Sequence, residues 1–191
     1  FLKKRFKNFL PELKTLSDTE VLLELVSSIG LSETLKNING IFCFGIWDVK
    51  EKKMSVVRDR VGIKPVFIYW DEKNFAFASE IKALKTLPWL NFEISKQSLA
   101  SYVRLNYIPS PYSIYNNVIK LEPGSIYEID RKKKIKIKKY WNLENTNFKK
   151  LNQSSDTFSV LNSAVRSQMV SDVPLGVFLS GGVDSSLITA L

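Results

Sequence analysis

The segment that decides the fold of this chain is Val173-Pro-Leu-Gly-Val-Phe-Leu-Ser-Gly-Gly-Val-Asp-Ser-Ser-Leu-Ile-Thr189. Its apolar run 177–179 predicts a short strand that is buried on both faces. The loop 180–182 follows with almost no side-chain bulk, and a helix is predicted to begin at Asp184 and to include Leu191. The order of strand, small-residue loop and helix is that of a parallel α/β nucleotide-binding domain, whose ligand lies at the carboxyl end of the strand.

The loop from Ser180 to Ser185 has the features of an anion site. A helix N-terminus leaves backbone N–H groups without intrahelical acceptors, and glycines allow a phosphate to approach them closely. The two serine hydroxyls add donors. Asp184 would repel a phosphate directly, but it fits if Mg²⁺ lies between its carboxylate and the phosphate oxygens. For the Ser-Gly-Gly tripeptide alone, the alternative is a tight turn that binds nothing.

The sequence Ser180-Gly-Gly-Val-Asp-Ser185 resembles the pyrophosphate loop of the N-type ATP pyrophosphatases, and it has no Walker A lysine. With the flank Ser171-Asp-Val-Pro-Leu-Gly-Val-Phe-Leu179 it is similar to the glutamine-hydrolysing asparagine synthetases and their relatives. The resemblance implies a pyrophosphate site with an adenosine contact at Leu179 and Mg²⁺ at Asp184. The residues that would bind the pyrophosphate part of ATP are Ser180, Gly181, Gly182, Asp184 and Ser185.

The composition of the 191 residues, 45% hydrophobic and 25% charged, is that of a globular protein. The single cysteine, Cys43, excludes an internal disulfide and is typical of a reducing compartment, so we expect a cytoplasmic protein. We interpret Cys43 as a core residue rather than a reactive thiol. The sequence has no histidine, no membrane-spanning run and no signal peptide pattern. Because it begins at Phe1 and stops inside a predicted helix, we expect a fragment.

The net charge of +9 raises the hypothesis of nucleic-acid binding. Seven basic residues fall within 131–139, where lysine and isoleucine alternate with a period of two. This alternation predicts a strand with one wet face, paired with a strand over 125–129 through a turn near Asp130. Lysines that protect an exposed hairpin explain the charge, and we expect neither a nucleic-acid nor a membrane partner.

The sequence Ser17-Asp-Thr-Glu20 predicts a capping box, with Ser17 as the N-cap of a helix that ends at Gly30. Asp18 then lies in the first turn, where a negative charge is favoured in any case. The stretch 17–25 also resembles the glutaminase half of the same family. There the resemblance implies that Asp18 binds the α-ammonium group of glutamine, whereas the residues alone indicate only a helix-start carboxylate.

Strands are predicted over 40–48, 53–58, 64–70 and 75–79, with a helix over 80–87. The first of these is almost wholly apolar, which predicts a central strand. Successive strands with tight turns predict an antiparallel sheet packed against helices. The block 17–84 resembles the amidotransferase domain, including Asn39-Gly-Ile-Phe-Cys-Phe-Gly-Ile-Trp-Asp48 and Arg58-Asp-Arg-Val-Gly-Ile-Lys-Pro65. No chemistry is assigned to four charged residues of this block, for which internal salt bridges are the default; these are Arg58, Asp59, Lys64 and Glu80.

The expected fold class is α/β: a partial four-layer αββα N-terminal-nucleophile sandwich, then the start of a parallel-sheet α/β ATP-pyrophosphatase domain. Domain boundaries are expected at 1–90 for the glutaminase, 91–150 for a connector with the basic hairpin, and 151–191 for the synthetase start. In the connector, Ser95 is predicted to cap a helix through Leu105 with Leu99, Tyr102 and Val103 facing inward. The family nucleophile, a cysteine after the initiator methionine, is absent from this sequence.

The expected function is glutamine-dependent asparagine synthesis from aspartate and ATP, with ATP and Mg²⁺ as cofactors, through an aspartyl-adenylate that releases AMP and pyrophosphate. Glutamine, aspartate and ATP are then the partners, with a homodimer as the candidate assembly. One alternative is amidation of a sugar uronate or peptide carboxylate. Another is an inactive truncated chain that acts at most as a binding module.

Overall fold

The computed structural model describes residues 6–15, 17–144 and 154–191, with the side chains of 154–156 left out. Its contacts divide the chain into two units, Phe1–Thr146 and Asn147–Leu191. The first unit contains helices α1 (Asp18–Ile29), α2 (Leu31–Asn37), α3 (Ile81–Leu84) and α4 (Lys96–Leu105). Its strands are β1 (Cys43–Asp48), β2 (Lys53–Arg58), β3 (Phe67–Trp70), β4 (Phe75–Ala78), β5 (Val118–Lys120), β6 (Ser125–Asp130) and β7 (Ile135–Lys139).

The strands form two antiparallel sheets. One sheet has the order β1-β2-β6-β7, and the other has the order β4-β3-β5. The segment 91–150, assigned to a connector by sequence, supplies β5 to one sheet and β6 and β7 to the other. The boundary expected at residue 150 falls in 145–153, outside the described residues.

Neighbouring residues on a strand pack in different layers of the fold, because side chains alternate between the two faces of a sheet. Val56 and Tyr127 pack with Ile68 of the other sheet in a core between the sheets. Val57 points to the opposite face and packs with Leu35 of α2. On the far side, Tyr69 packs with α3 and the segment that follows it. The layers are therefore helix, sheet, sheet and helix, which confirms the predicted αββα sandwich.

Helix α1 begins as predicted, but the predicted capping box is wrong. Ser17 Oγ accepts a hydrogen bond from Thr19 N at 3.2 Å, so Ser17 is the N-cap. Glu20 does not reach back to Ser17; its carboxylate accepts instead from Lys14 N and Thr15 N at 2.8 and 2.7 Å. Ser17 N donates to Thr15 Oγ1 at 3.2 Å, which takes the place of the glutamate in a capping box.

Four elements of the first unit differ from the sequence prediction. Within the described residues β1 begins at Cys43, three residues later than predicted, and it is an edge strand rather than a central one, so Trp47 is 51% exposed. β3 begins at Phe67, three residues later than predicted, because the preceding residues form a hydrogen-bonded loop. Helix α3 has only four residues. The predicted inward face of α4 is wrong: Leu99, Tyr102 and Val103 are 45%, 52% and 75% exposed.

The hairpin of β6 and β7 is confirmed, and it is anchored by one carboxylate. Glu128 is buried, and its oxygens lie 2.6 Å from Lys138 Nζ and 3.5 Å from Lys53 Nζ. Burial raises the pKa of Glu128, but the hydrogen bond from Lys138 and the charge of Lys53 outweigh it and hold that pKa below its ordinary value. Part of the lysine excess therefore balances a charge inside this unit.

The second unit contains helices α5 (Ser154–Ser167) and α6 (Val183–Ala190). The predicted strand over 177–179 is wrong: these residues have no regular secondary structure, and Phe178 is 99% exposed. The physical reason is that a strand needs a neighbour for its backbone groups, and no described strand of this unit lies beside it. No helix in the described residues combines the length and apolar character needed to cross a membrane.

Candidate functional site

Asp18 is an exposed carboxylate in the first turn of α1. Its Oδ1 accepts a hydrogen bond from Thr19 Oγ1 at 3.4 Å. The N-cap Ser17 lies immediately before it, so the direction of Asp18 depends on the turn that enters the helix. An exposed carboxylate at a fixed helix start can receive the N–H donors of an ammonium group.

The loop before α6 presents two hydroxyls and no bulky side chain. Ser180 Oγ and Ser185 Oγ are 3.1 Å apart, and Ser185 Oγ donates to Gly182 O at 3.1 Å. Gly181 has φ +81°, a conformation that favours glycine. A Cβ at Gly181 would meet nothing within 4 Å, so the space above this backbone is open. Sequence reasoning therefore identified a loop that the structure leaves accessible from solvent.

The helix that follows the loop has no side-chain cap. Its N-cap, Gly182, offers no side chain to the first-turn N–H groups. Those groups and the helix dipole favour an anion. Leu179, the predicted adenosine contact, is 60% exposed directly before the loop. The donors of this loop thus fit the phosphate groups of a nucleotide.

The chemistry of the loop fits Mg²⁺ only as part of a larger coordination sphere. Asp184 is an exposed carboxylate in the first turn of α6. The described residues contain no cluster of three or more side chains of the types that hold a metal ion. Mg²⁺ is commonly bound by one or two carboxylates together with substrate phosphates and water. Asp184 could therefore hold Mg²⁺ when phosphate oxygens complete the coordination.

Asp18 lies in the first unit and the loop 180–185 lies in the second. The predicted residues thus form two separate groups in the chain. The first is a single carboxylate on a helix that packs on a sheet, and the second is a backbone cradle with two hydroxyls. Each group is suited to a different ligand: a cation in the first case, an anion in the second.

Sequence reasoning missed the role of Arg58 and Asp59, for which salt bridges were the default. The guanidinium of Arg58 donates to the backbone oxygens of Gly62 at 2.7 Å and Lys64 at 2.9 Å, and also to that of Leu121. Asp59 is fully buried, and its carboxylate accepts from Ile63 N at 3.0 Å and Lys64 N at 2.8 Å. Both side chains therefore hold a loop in place through backbone groups.

One sequence signal could have found this loop. An aspartate at the first position of a turn and a glycine at the fourth are typical of a type I turn, and Asp59 and Gly62 have that spacing. Gly62 N does donate to Asp59 O at 3.2 Å. Glu80, by contrast, makes the expected ion pair, with Lys82 Nζ at 2.7 Å on the surface.

The interpretation of Cys43 as a core residue is supported by its surroundings. It is half-buried and packs against the core between the sheets. Burial raises the pKa of its thiol, against the opposing charges of Arg58 and Lys64. A raised pKa keeps the thiol protonated, which is unfavourable for a nucleophile.

Comparison with known proteins identifies the class. Residues 1–141 match the family model described as a glutamine amidotransferase domain. Because this match covers more than half of the chain, the chain belongs to the glutamine amidotransferase family. Residues 157–191 match the model described as asparagine synthase, so the two units match two different domain models.

The curated relatives make the resemblance more specific. The chain is 38% identical over its whole length to a putative glutamine-hydrolysing asparagine synthetase 2 of Methanocaldococcus jannaschii, and covers 37% of that protein. It is 37% identical to asparagine synthetase 3 of Bacillus subtilis over 92% of the chain and 29% of that protein. The human asparagine synthetase is 29% identical over 98% of the chain and 33% of that protein. The chain thus spans about a third of the length of these relatives.

Proposed function

We propose that this chain is part of a glutamine-dependent ligase that makes asparagine from aspartate and ATP. The single observation that carries the proposal is the open loop 180–185, which lies within a segment that matches asparagine synthase and follows a glutamine amidotransferase domain. A protein with these two parts needs glutamine as a nitrogen donor and a phosphate-bearing substrate that activates the acceptor. The relatives are named as asparagine synthetases, which supports aspartate as the proposed acceptor.

In the proposed reaction, the side-chain carboxylate of aspartate attacks the α-phosphorus of ATP. An aspartyl-adenylate forms, and the bond between the α- and β-phosphates breaks to release pyrophosphate. Ammonia derived from glutamine then attacks the acyl carbon, and AMP leaves with the electron pair of the broken bond. The product is asparagine.

The residues of the second unit have defined parts in this scheme. The backbone N–H groups of Gly181 and Gly182 donate hydrogen bonds to the departing pyrophosphate, whose charge increases as the bond breaks. The hydroxyls of Ser180 and Ser185 would donate to it as well, in exchange for the bonds they make within the loop. Mg²⁺, held by Asp184 and the phosphates, would supply further charge stabilisation. Leu179 would contact the adenosine.

In the first unit, Asp18 would bind the α-ammonium group of glutamine. The nucleophile implied by the family resemblance is a cysteine that follows the initiator methionine. Cys43 does not have that role in our proposal, because it is half-buried in a strand and its thiol pKa is raised. The single cysteine is consistent with a reducing compartment, and we place the protein in the cytoplasm as part of this proposal.

The test is to measure AMP and pyrophosphate release by the full-length protein with Mg-ATP and amide-¹⁵N glutamine, with and without aspartate. We expect AMP release that depends on aspartate and ¹⁵N in the side-chain amide of asparagine. A parallel series with a hexuronate and with a peptide carboxylate replaces aspartate. AMP release that responds to one of these acceptors and not to aspartate would contradict aspartate as the substrate while retaining the role of the loop.

A further inference from the structure

The turn that enters α1 is held by a network centred on Glu20. One carboxylate oxygen of Glu20 accepts from Lys14 N at 2.8 Å, and the other accepts from Thr15 N at 2.7 Å. The second oxygen also accepts from the hydroxyl of Thr15. Glu20 lies within the first turn of α1, so it ties the chain before the helix to the helix itself.

The network continues from Thr15 to both neighbours of Asp18. Thr15 Oγ1 accepts from Ser17 N at 3.2 Å, and Ser17 Oγ accepts from Thr19 N at 3.2 Å. The backbone on each side of Asp18 is therefore hydrogen-bonded to a side chain of the same network. The carboxylate of Asp18 itself remains exposed.

This arrangement does something that a capping box would not do. In a capping box the glutamate returns to the N-cap N–H and stabilises only the helix end. Here Glu20 binds backbone groups five and six residues before it, and the N-cap N–H goes to Thr15. These hydrogen bonds fix the direction from which the chain enters α1. They therefore also fix the position of Asp18, whose carboxylate lies in the first turn.

We propose that Glu20 and Thr15 are positioning residues that aim Asp18 at the α-ammonium group of glutamine. This inference rests on the proposed role of Asp18 as the ligand of that group. In this proposal the network of Glu20 and Thr15 contributes to substrate selection. It favours an amide that carries an α-amino group over an amide of the same length that lacks one. Neither Glu20 nor Thr15 touches the substrate.

The test uses the full-length protein with two amides, glutamine and 4-carbamoylbutanoate, which lacks the α-amino group. Glu20→Gln keeps the shape of the side chain, but it loses the charge and points an N–H donor at backbone N–H groups. Thr15→Val keeps the branched shape and removes the hydroxyl. We expect each to raise the KM for glutamine on the order of tenfold, because a misdirected carboxylate loses much of a charge-assisted hydrogen bond.

Two readouts separate positioning from a general loss of structure. For both variants the rate with 4-carbamoylbutanoate and the ammonia-driven synthesis should be unchanged, since neither uses the α-ammonium contact. The matched control is Glu24→Gln, the same substitution one turn further along α1. Glu24 is outside the network, so its variant should keep the KM of the unmodified protein.

Asp18→Ala distinguishes failure of the positioning role from failure of the ligand role. If Asp18→Ala raises the KM for glutamine while Glu20→Gln behaves like Glu24→Gln, the positioning role is wrong and the proposed function stands. If Asp18→Ala leaves the KM unchanged, the ligand role of Asp18 fails and the positioning role fails with it. Equal losses with glutamine and 4-carbamoylbutanoate in Glu20→Gln would also overturn the inference, because they would show a general effect on the site.

Discussion

Two loops of this protein each carry an aspartate and a glycine, and the structure treats them in opposite ways. In the loop 59–64, Asp59 is fully buried and its carboxylate accepts two backbone N–H groups. In the loop 180–185, Asp184 is exposed. A Cβ at Gly62 would lie 2.7 Å from Pro123 Cγ, whereas a Cβ at Gly181 would meet nothing within 4 Å. The first loop is filled by the protein itself, and the second leaves its space open.

The difference teaches how to separate a structural loop from a candidate binding loop. Buried polar groups must be paired, and in the loop 59–64 all the pairing comes from within the chain. In the loop 180–185 the first-turn N–H groups of α6 have no side-chain cap, and the two serine hydroxyls are hydrogen-bonded only within the exposed loop, where a ligand can replace those bonds. Substitutions in the first loop should therefore change stability, and substitutions in the second should change activity.

The largest expected effect concerns Asp184. In the full-length protein Asp184→Ala should lower AMP formation on the order of 1000-fold, about 4 kcal/mol of transition-state stabilisation, because the Mg²⁺ that would stabilise the departing pyrophosphate would lose its protein ligand. Glutamine hydrolysis should remain measurable, since it uses the other unit. The measurement is steady-state AMP release beside ammonia release. Unchanged AMP formation would remove Asp184 from the mechanism.

The next effect concerns Asp59. Asp59→Ala should lower the free energy of unfolding of the first unit by about 3 kcal/mol, because two buried N–H groups lose their acceptor. Urea unfolding of residues 1–191 followed by tryptophan fluorescence measures it, since the four tryptophans of this sequence, Trp47, Trp70, Trp89 and Trp141, lie in that unit. Asp184→Ala is the matched control and should leave the fluorescence midpoint unchanged. Equal shifts in both variants would contradict the division into a structural loop and a binding loop.

The two glycines give a smaller and more direct comparison. Gly62→Ala should cost about 2 kcal/mol, because it combines a φ of +71° with a clash against Pro123. Gly181→Ala has a similar φ, +81°, without the clash. We expect it to leave the fluorescence transition in place and to raise the KM for ATP, because the methyl group occupies the open space. A KM for ATP unchanged by Gly181→Ala would indicate that no phosphate approaches this backbone.

The smallest effect is a pH dependence in a third carboxylate. The folded-state pKa of Glu128 lies below its ordinary value of 4.5, so its contribution is present above pH 4.5 and is lost as the pH falls through the folded-state pKa. Glu128→Gln should remove about 1 kcal/mol near neutral pH and less in acid, because Glu128 is buried but the side chains of Lys53 and Lys138 are 35% and 42% exposed and water screens the pairs. Urea midpoints between pH 3 and 7 measure this trend. A difference in urea midpoint between Glu128→Gln and the unmodified protein that stays constant across this range would contradict the prediction.

The sequence predicted the fold class well where local signals agree. Ser17 and Gly30 bound helix α1, and Lys53–Arg58 is a strand with the bounds that its pattern indicated. The basic alternation after Asp130 is a strand of a hairpin. These elements depend on caps, turns and periodicity, which are properties of a few consecutive residues. The loop 180–185 could be predicted from the sequence for the same reason, since its small residues are consecutive.

Local patterns were misleading where an element depends on its neighbours. The apolar face of α4 was expected to be covered, yet Val103 is 75% exposed, because periodicity indicates which residues share a face and not what packs on it. The run 177–179 has the composition of a strand but no described strand beside it. Glu20 has the spacing of a capping box, yet it binds Lys14 and Thr15.

The sequence by itself determined the family, the start of α1, the hairpin and the open glycine loop, because each is encoded by adjacent residues. Only the tertiary structure decided which layer each residue faces. Val56 and Val57 are identical neighbours, yet one faces the other sheet and one faces α2. The tertiary structure also decided that Asp59 is buried and Asp184 is open, because burial depends on chain segments far away in sequence, such as Pro123 beside Gly62.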